Sequence, residues 1–177
     1  QNLIPNIVST YNDNSVKKII NHKITGKKII QDSYQLFRED GTLILEGKLK
    51  DGIEHGQGSY YDENGRKYTG NQIKDIEATK NFDDPRWSNG KWHLIFDGEH
   101  LVALFKLNTS GKHYVIAFEG VFDKTKEGHL LDDKQDGKWI NYYNNRKTSE
   151  GNYKNGEKVG RWKRFDDDGK VIDYKEF

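Results

Sequence analysis

The stretch that decides the fold is residues 150–169, EGNYKNGEKVGRWKRFDDDG, because residues 46–65, EGKLKDGIEHGQGSYYDENG, repeat its glycine spacing. In both stretches four glycines are separated by steps of 5, 4 and 9 residues, and residues 46–65 contain one more, Gly58. Agreement over three steps indicates one repeated structural unit and not a chance clustering of glycine.

Two glycines of each unit follow residues that form tight turns. Asp51-Gly52 and Asn155-Gly156 are typical of hairpin turns, because Asp, Asn and Gly readily adopt a positive φ. About five residues rich in aromatic and β-branched side chains lie between turns, which is a normal strand length. The pattern predicts an all-β fold, an elongated and twisted antiparallel meander of repeated β-hairpins with little helix.

A second periodicity concerns the aromatic side chains. Trp139 and Trp162 are 23 residues apart, and each is followed three residues later by another aromatic residue. Positions three apart lie on opposite faces of a strand, so one row of rings packs and the other is available for binding, unless a curled sheet buries both. The candidate binding residues are Tyr61, Tyr142, Phe165 and Trp92.

The composition limits the class of protein. Hydrophobic residues make up 33% of the chain and charged residues 32%, so the 22 aromatic residues supply most of the capacity for burial. The 29 basic and 28 acidic residues alternate along the chain, and nucleic acid is therefore not an expected partner. No apolar run is long enough to span a bilayer, so we do not expect a transmembrane protein.

Residue types that are missing from the sequence also carry information. The chain has no cysteine, which excludes a disulfide scaffold, thiolate metal sites and a thiol nucleophile. It has no methionine and begins at Gln1, as expected after removal of a secretory signal peptide. We therefore expect a periplasmic or extracellular protein, with a trimmed chain and a cytoplasmic location as the alternative.

The repeat pattern divides the chain into regions. Residues 1–33 are expected to form an irregular N-terminal β segment of two strands, with a helix after Ser15 as the alternative. Residues 34–177 form the repeat array, with a degenerate central hairpin region at 71–117. About eight extra residues precede Gly137, so we expect 124–136 to bulge as a longer loop.

No combination of residues indicates a reaction centre. His93 and His100 flank Asp97 and Glu99, but an Asp97-Gly98 turn explains the two carboxylates equally well. We therefore assign no metal ligand, no cofactor and no catalytic residue. An unrecognised hydrolase with a site in 71–136 is kept as an alternative, because glycoside hydrolysis requires only two suitably separated carboxylates.

Residues 136–143 and 150–162 resemble the MORN repeat, and in particular the bacterial variant found in YwqK-type antitoxin proteins. Residues 46–70 are similar to a second, more conventional copy. The resemblance covers somewhat over half of the chain and implies an elongated sheet of successive hairpins. It does not imply a single activity, because function depends on the site and not on the fold.

These observations favour a non-enzymatic binding or scaffolding module of an exported bacterial protein. We expect it to recognise a protein partner through one sheet face and the insertion loops, and the resemblance adds an immunity or antitoxin-like role. Binding of carbohydrate or of a cell-envelope component through exposed aromatic side chains is the second hypothesis.

Overall fold

A computed structural model describes residues 2–74 and 83–177, which form 14 β-strands and contain no helix. Within each of the two compact units described below, every strand pairs antiparallel with the next strand in sequence. The prediction of an all-β antiparallel meander of successive hairpins is therefore confirmed. No helix in these described residues could span a membrane.

The first compact unit, Gln1–Lys74, contains six strands. The two strands predicted in the N-terminal region correspond to β2 and the start of β3, and the alternative of a helix after Ser15 is wrong. The first strand was not predicted because its apolar residues do not alternate. The strands are β1 (Ile4–Thr10), β2 (Val16–Thr25), β3 (Lys28–Phe37), β4 (Leu43–Lys50), β5 (Ile53–Tyr61) and β6 (Lys67–Ile73).

The second unit, Asp75–Phe177, contains eight strands. The apolar residues of the predicted central hairpin form its first three strands, and both faces of the first two are buried. The strands are β7 (Trp92–Asp97), β8 (His100–Lys106), β9 (Lys112–Glu119), β10 (Asp123–Leu131), β11 (Lys134–Tyr143), β12 (Arg146–Lys154), β13 (Glu157–Phe165) and β14 (Val171–Glu176).

The hairpin turns follow from local backbone chemistry. Asn155 and Gly156 both have positive φ, 53° and 86°, as their sequence predicts. The expected loop at 124–136 is wrong, because this segment consists of strands β10 and β11 joined by a tight turn. The turn was missed because Asp132 and Asp133 adopt the left-handed conformation without a glycine, with φ of 50° and 60°.

The repeat glycines of the second unit provide space for the tryptophans. Trp139 pairs with Gly128 on one side and with Gly151 on the other, and a Cβ atom on Gly128 would clash with its indole ring. A Cβ atom on Gly151 would clash in the same way with Trp162. The Trp139 indole N–H also donates to the carbonyl oxygen of His129 at 2.9 Å, so the ring lies flat over the neighbouring strand.

The first unit fills the equivalent space with an amide. Gly47 pairs with Gly58, and the side chain of Gln72 covers both. Gln72 Oε1 accepts a hydrogen bond from the Tyr34 hydroxyl at 2.6 Å, and Nε2 donates to the Lys48 carbonyl oxygen at 3.0 Å. The amide is therefore buried with its hydrogen-bonding groups satisfied.

Candidate functional site

The strand register places two of the candidate binding residues on one face of the second unit. Glu150 pairs with Ile140 on β11 and with Lys163 on β13. Ile140 lies two residues before Tyr142, and Lys163 lies two residues before Phe165. Because side chains alternate along a strand, Tyr142, Phe165 and Glu150 share a face, and Trp139 and Trp162 lie on the other. The predicted separation of the two aromatic rows is confirmed.

Trp92 belongs to the same face. A cross-strand row leads from Trp92 through Lys106 and Tyr114 to His129, which lies two residues after Glu127 on β10. The indole ring is half-buried, 6.1 Å from the Tyr114 ring in an edge-to-face arrangement. Trp92, Tyr142 and Phe165, together with Glu127 and Glu150, define a surface that we call the aromatic face.

The Tyr142 ring is held in place by two charged groups. Its hydroxyl donates a hydrogen bond to the Glu127 carboxylate. The Lys124 ammonium group lies 4.0 Å from the ring centroid and 3.5 Å from the same carboxylate. The cation above the ring and the acceptor at its hydroxyl together restrict the side chain to one orientation.

The same arrangement recurs 23 residues later in the sequence. The Lys147 ammonium group lies 4.5 Å from the Phe165 ring centroid and 3.1 Å from a Glu150 carboxylate oxygen. Phenylalanine has no hydroxyl group, so the Phe165 ring donates no hydrogen bond to Glu150, and Lys147 provides the contact with this carboxylate. The repeat therefore extends beyond the turns and the tryptophans to a lysine, a glutamate and an aromatic ring.

Glu150 is the centre of a lysine cluster. Besides Lys147, its carboxylate lies 3.2 Å from the Lys138 ammonium group and 3.8 Å from that of Lys163. Burial opposes ionisation of Glu150, but hydrogen bonds from Lys147 and Lys138 outweigh it and hold the pKa of this carboxyl below its ordinary value. Three ammonium groups around one carboxylate leave this part of the aromatic face with two positive charges in excess.

Tyr61 has an equivalent environment in the first unit. Its hydroxyl donates to a Glu46 carboxylate oxygen at 2.7 Å, and the Lys67 ammonium group lies 5.3 Å from its ring centroid. Lys67 lies on β6, the strand that pairs with Tyr61, whereas Lys124 and Lys147 each lie three residues before their glutamate in the sequence. The structure thus gives all three repeat aromatic candidates a glutamate and a lysine as neighbours, and the sequence analysis had not identified these neighbours.

The sequence analysis also missed the structural role of His93. Its Nε2 atom accepts a hydrogen bond from the Ser88 backbone N–H at 2.9 Å, and Nδ1 donates to the Phe105 carbonyl oxygen at 3.2 Å. The Trp87 ring stacks 4.6 Å away, and burial lowers the pKa of this imidazole. His93 therefore connects the segment before β7 to the sheet, and it is not available as a ligand.

No group of three or more histidine and carboxylate side chains in residues 2–74 and 83–177 is arranged to hold a metal ion. The hydrolase alternative in 71–136 includes residues 75–82, which lie outside the described residues.

Comparisons of the chain with protein-family models, with curated proteins and with solved structures find no match.

Proposed function

We propose that this protein is a non-enzymatic binding module that recognises an acidic surface of a protein partner through the aromatic face. The observation that carries this proposal is the repeated fixation of Tyr142 and Phe165 by Lys124 and Lys147. Rings that are half-buried and already oriented provide contact area with little loss of side-chain entropy on binding. Aromatic residues also dominate the residues that contribute most to protein–protein affinity.

The charge of the face supports an acidic partner. Lys138, Lys147 and Lys163 surround a single carboxylate, and the Lys163 side chain is 47% exposed. Complementary charge accelerates association and disfavours basic partners. A partner carboxylate that reaches this surface would meet these lysine ammonium groups, of which that of Lys147 lies over the Phe165 ring.

An exported, immunity-like or antitoxin-like protein is a specific form of this proposal. It is supported by the resemblance of residues 46–70 and 136–162 to the MORN repeat variant of YwqK-type antitoxin proteins. The lysines and glutamates of the aromatic face fit such a role, because charges complementary to those of a partner accelerate association and suppress binding of wrong partners. The scaffolding role that such repeats also serve would use the same surface.

The test is a binding comparison between two adjacent tyrosines. The full-length chain is used as bait, the retained protein is identified and purified, and its affinity is measured for the wild type, Tyr142→Ala and Tyr143→Ala. Tyr143 is the matched control, because it is 72% exposed and lies on the opposite face of β11. We expect Tyr142→Ala to weaken binding about 30-fold or more, as removal of a central aromatic contact does, and Tyr143→Ala to leave it unchanged.

A second measurement tests the charge of the partner surface. The affinity of the purified pair is expected to fall as salt is raised, and Lys163→Ala is expected to reduce this salt dependence. Equal weakening by the two tyrosine variants, or an affinity that does not depend on salt, would exclude the aromatic face as the binding surface.

A further inference from the structure

The first unit contains a polar groove on the sheet face that carries Tyr61. Its cavity volume is about 460 Å³, which lies within the range of small-ligand sites. Two cross-strand rows meet there: Ser33 pairs with Asn21 and Lys48, and Gln35 pairs with Glu46, which pairs with Ser59. The uncharged polar side chains that line it are those of Asn21, Ser33, Gln35, Gln57 and Ser59, and the charged ones are those of Glu46 and Lys48.

The amide groups of this groove retain capacity for further hydrogen bonds. The Gln35 side chain makes no hydrogen bond with the described part of the chain. Among residues 2–74 and 83–177, the Asn21 amide reaches only the Ser33 hydroxyl, at a long 3.4 Å. Gln57 uses its amide N–H toward Asn71 at 2.5 Å, and the carbonyl end of its amide can still accept.

The charged groups at the groove are compensated by neighbours within the first unit. Lys48 lies 2.9 Å from the Asp32 carboxylate, and Lys23 lies 2.7 Å from the other oxygen of that carboxylate. Glu46 accepts the Tyr61 hydroxyl at 2.7 Å. A ligand therefore meets mainly neutral amide and hydroxyl groups in this groove.

We propose that this groove binds a neutral polyhydroxylated ligand, a monosaccharide or disaccharide unit of a glycan. Sugar hydroxyls both donate and accept, as do the serine hydroxyls and the paired C=O and NH₂ groups of glutamine and asparagine. A protein partner would instead require an exposed aromatic or aliphatic anchor at the centre of the contact, but of the two large lining residues of this kind Tyr34 is buried, which leaves Leu3. A phosphorylated ligand would require cations that are not already paired.

This proposal is independent of the proposed protein-binding function, because the groove belongs to the first unit and the aromatic face to the second. It also differs from sugar binding by exposed rings, since its contacts come from amides and hydroxyls.

The experiment uses saturation-transfer difference NMR on the full-length chain with glucose, galactose, N-acetylglucosamine, maltose and cellobiose. We expect transfer to at least one of these sugars, and titration of that sugar then gives its dissociation constant. Gln35→Ala and Ser33→Ala are each expected to weaken binding about fivefold to tenfold, as loss of one hydrogen bond does. Gln135→Ala is the matched control, since Gln135 lies on β11 of the second unit, and it should leave binding unchanged.

Two controls keep the result interpretable. Circular dichroism melting of each variant verifies that the sheet is intact, and Gln35→Glu preserves the side-chain shape while replacing the amide donor with a carboxylate. This variant is also expected to weaken binding. Absence of transfer to all five sugars, or equal weakening by Gln135→Ala, would overturn the proposal, whatever the outcome of the protein-binding test.

Discussion

The two units cover their repeat glycines with chemically different side chains. In the second unit the indole of Trp139 covers Gly128, and the indole of Trp162 covers Gly151. In the first unit the amide of Gln72 lies over Gly47 and Gly58. Gln72 and Trp139 also each donate a hydrogen bond to a backbone carbonyl oxygen of the neighbouring strand, Gln72 to His55 on β5 and Trp139 to His129 on β10.

This difference shows what the repeat glycines require. The absence of Cβ atoms leaves a shallow space over the sheet, and a flat side chain fits into it. In both units the side chain that fills this space has an N–H group that donates to a nearby backbone carbonyl oxygen. The indole fills that space mainly by apolar burial. The amide fills it by hydrogen bonds and requires one more partner, the Tyr34 hydroxyl, for its oxygen. The amide of the first unit therefore depends on more partner residues than the indole of the second unit.

The largest effect is expected on truncation of the indole. Trp139→Ala should lower the free energy of unfolding by about 3–5 kcal/mol, because it removes a fully buried ring and leaves a cavity. Urea unfolding, followed by far-UV circular dichroism and by the fluorescence of the three other tryptophans, measures the loss. Trp92→Ala is the control: its ring is half-buried, so the loss should be about 1–2 kcal/mol. Similar losses would show that the glycine contact contributes little.

The glycines themselves provide the next test of the comparison. Gly151→Ala should cost about 3 kcal/mol, because the new methyl group meets the rigid indole of Trp162. Gly58→Ala should cost about 1 kcal/mol, since the Gln72 side chain can shift more easily than a ring. Both losses are read from urea unfolding.

Gly160→Ala is the control for this pair. Unlike Gly151 and Gly58, Gly160 has a positive φ, of 62°, and an added Cβ atom would meet no atom within 4 Å, so only a backbone cost of about 1 kcal/mol is expected. If Gly151→Ala were no more harmful than Gly160→Ala, the indole would not require the glycine.

A smaller effect tests the dependence of the amide on its partner. Tyr34→Phe should cost about 1–2 kcal/mol, because the buried Gln72 Oε1 atom loses its hydroxyl donor. Hydrogen exchange of amides in 43–73 should accelerate correspondingly, while exchange in 134–165 stays unchanged. Tyr153→Phe, on β12, is the control and should change stability by less than about 0.5 kcal/mol. Unchanged exchange in 43–73 would mean that the amide is satisfied without Tyr34.

The smallest expected effect is a difference between the two units in how their stability depends on pH. Burial lowers the pKa of His93, so below pH of about 6.5 the unfolded chain binds a proton more readily than the folded one, and stability is lost as the pH falls. In the first unit, the hydrogen bond from Lys23, followed by that from Lys48, lowers the pKa of Asp32. Its contribution is present above pH of about 4 and is lost only below that pH.

Tryptophan fluorescence reports this acid effect specifically, because all four tryptophans lie in the second unit. The urea midpoint measured by fluorescence should decline from pH 7 to pH 6 and pH 5, before the hydrogen-exchange protection factors of amides in 43–73 change. His93→Gln, which does not titrate, should flatten the decline. A decline of equal size in this variant would assign the effect to other groups.

Much of the fold could be predicted from the sequence, because turn formation is local. Asn155-Gly156 adopts a positive φ through its own residues, and the strands between such turns then alternate their side chains by geometry alone. That is why Tyr142 and Trp139 were correctly assigned to opposite faces. The Asp132-Asp133 turn was missed for the same reason, since neither residue requires a positive φ.

The site could be predicted only in part. The rings of Tyr142 and Phe165 were identified from the 23-residue period, but their lysine and glutamate neighbours were not. Glu127 is 15 residues from Tyr142, and Lys163 is 13 residues from Glu150. Such contacts depend on strand register, which a β-bulge of one residue can change.

The sequence by itself determined the succession of antiparallel hairpins and the two opposite aromatic rows, because turn conformation and strand alternation are short-range properties. Only the tertiary structure decided that Gln72 takes the place of an indole, that three lysines surround Glu150, and that the polar groove contains Gln35. These features join residues from different strands, and their positions follow from pairing across the sheet and not from the order of residues along the chain.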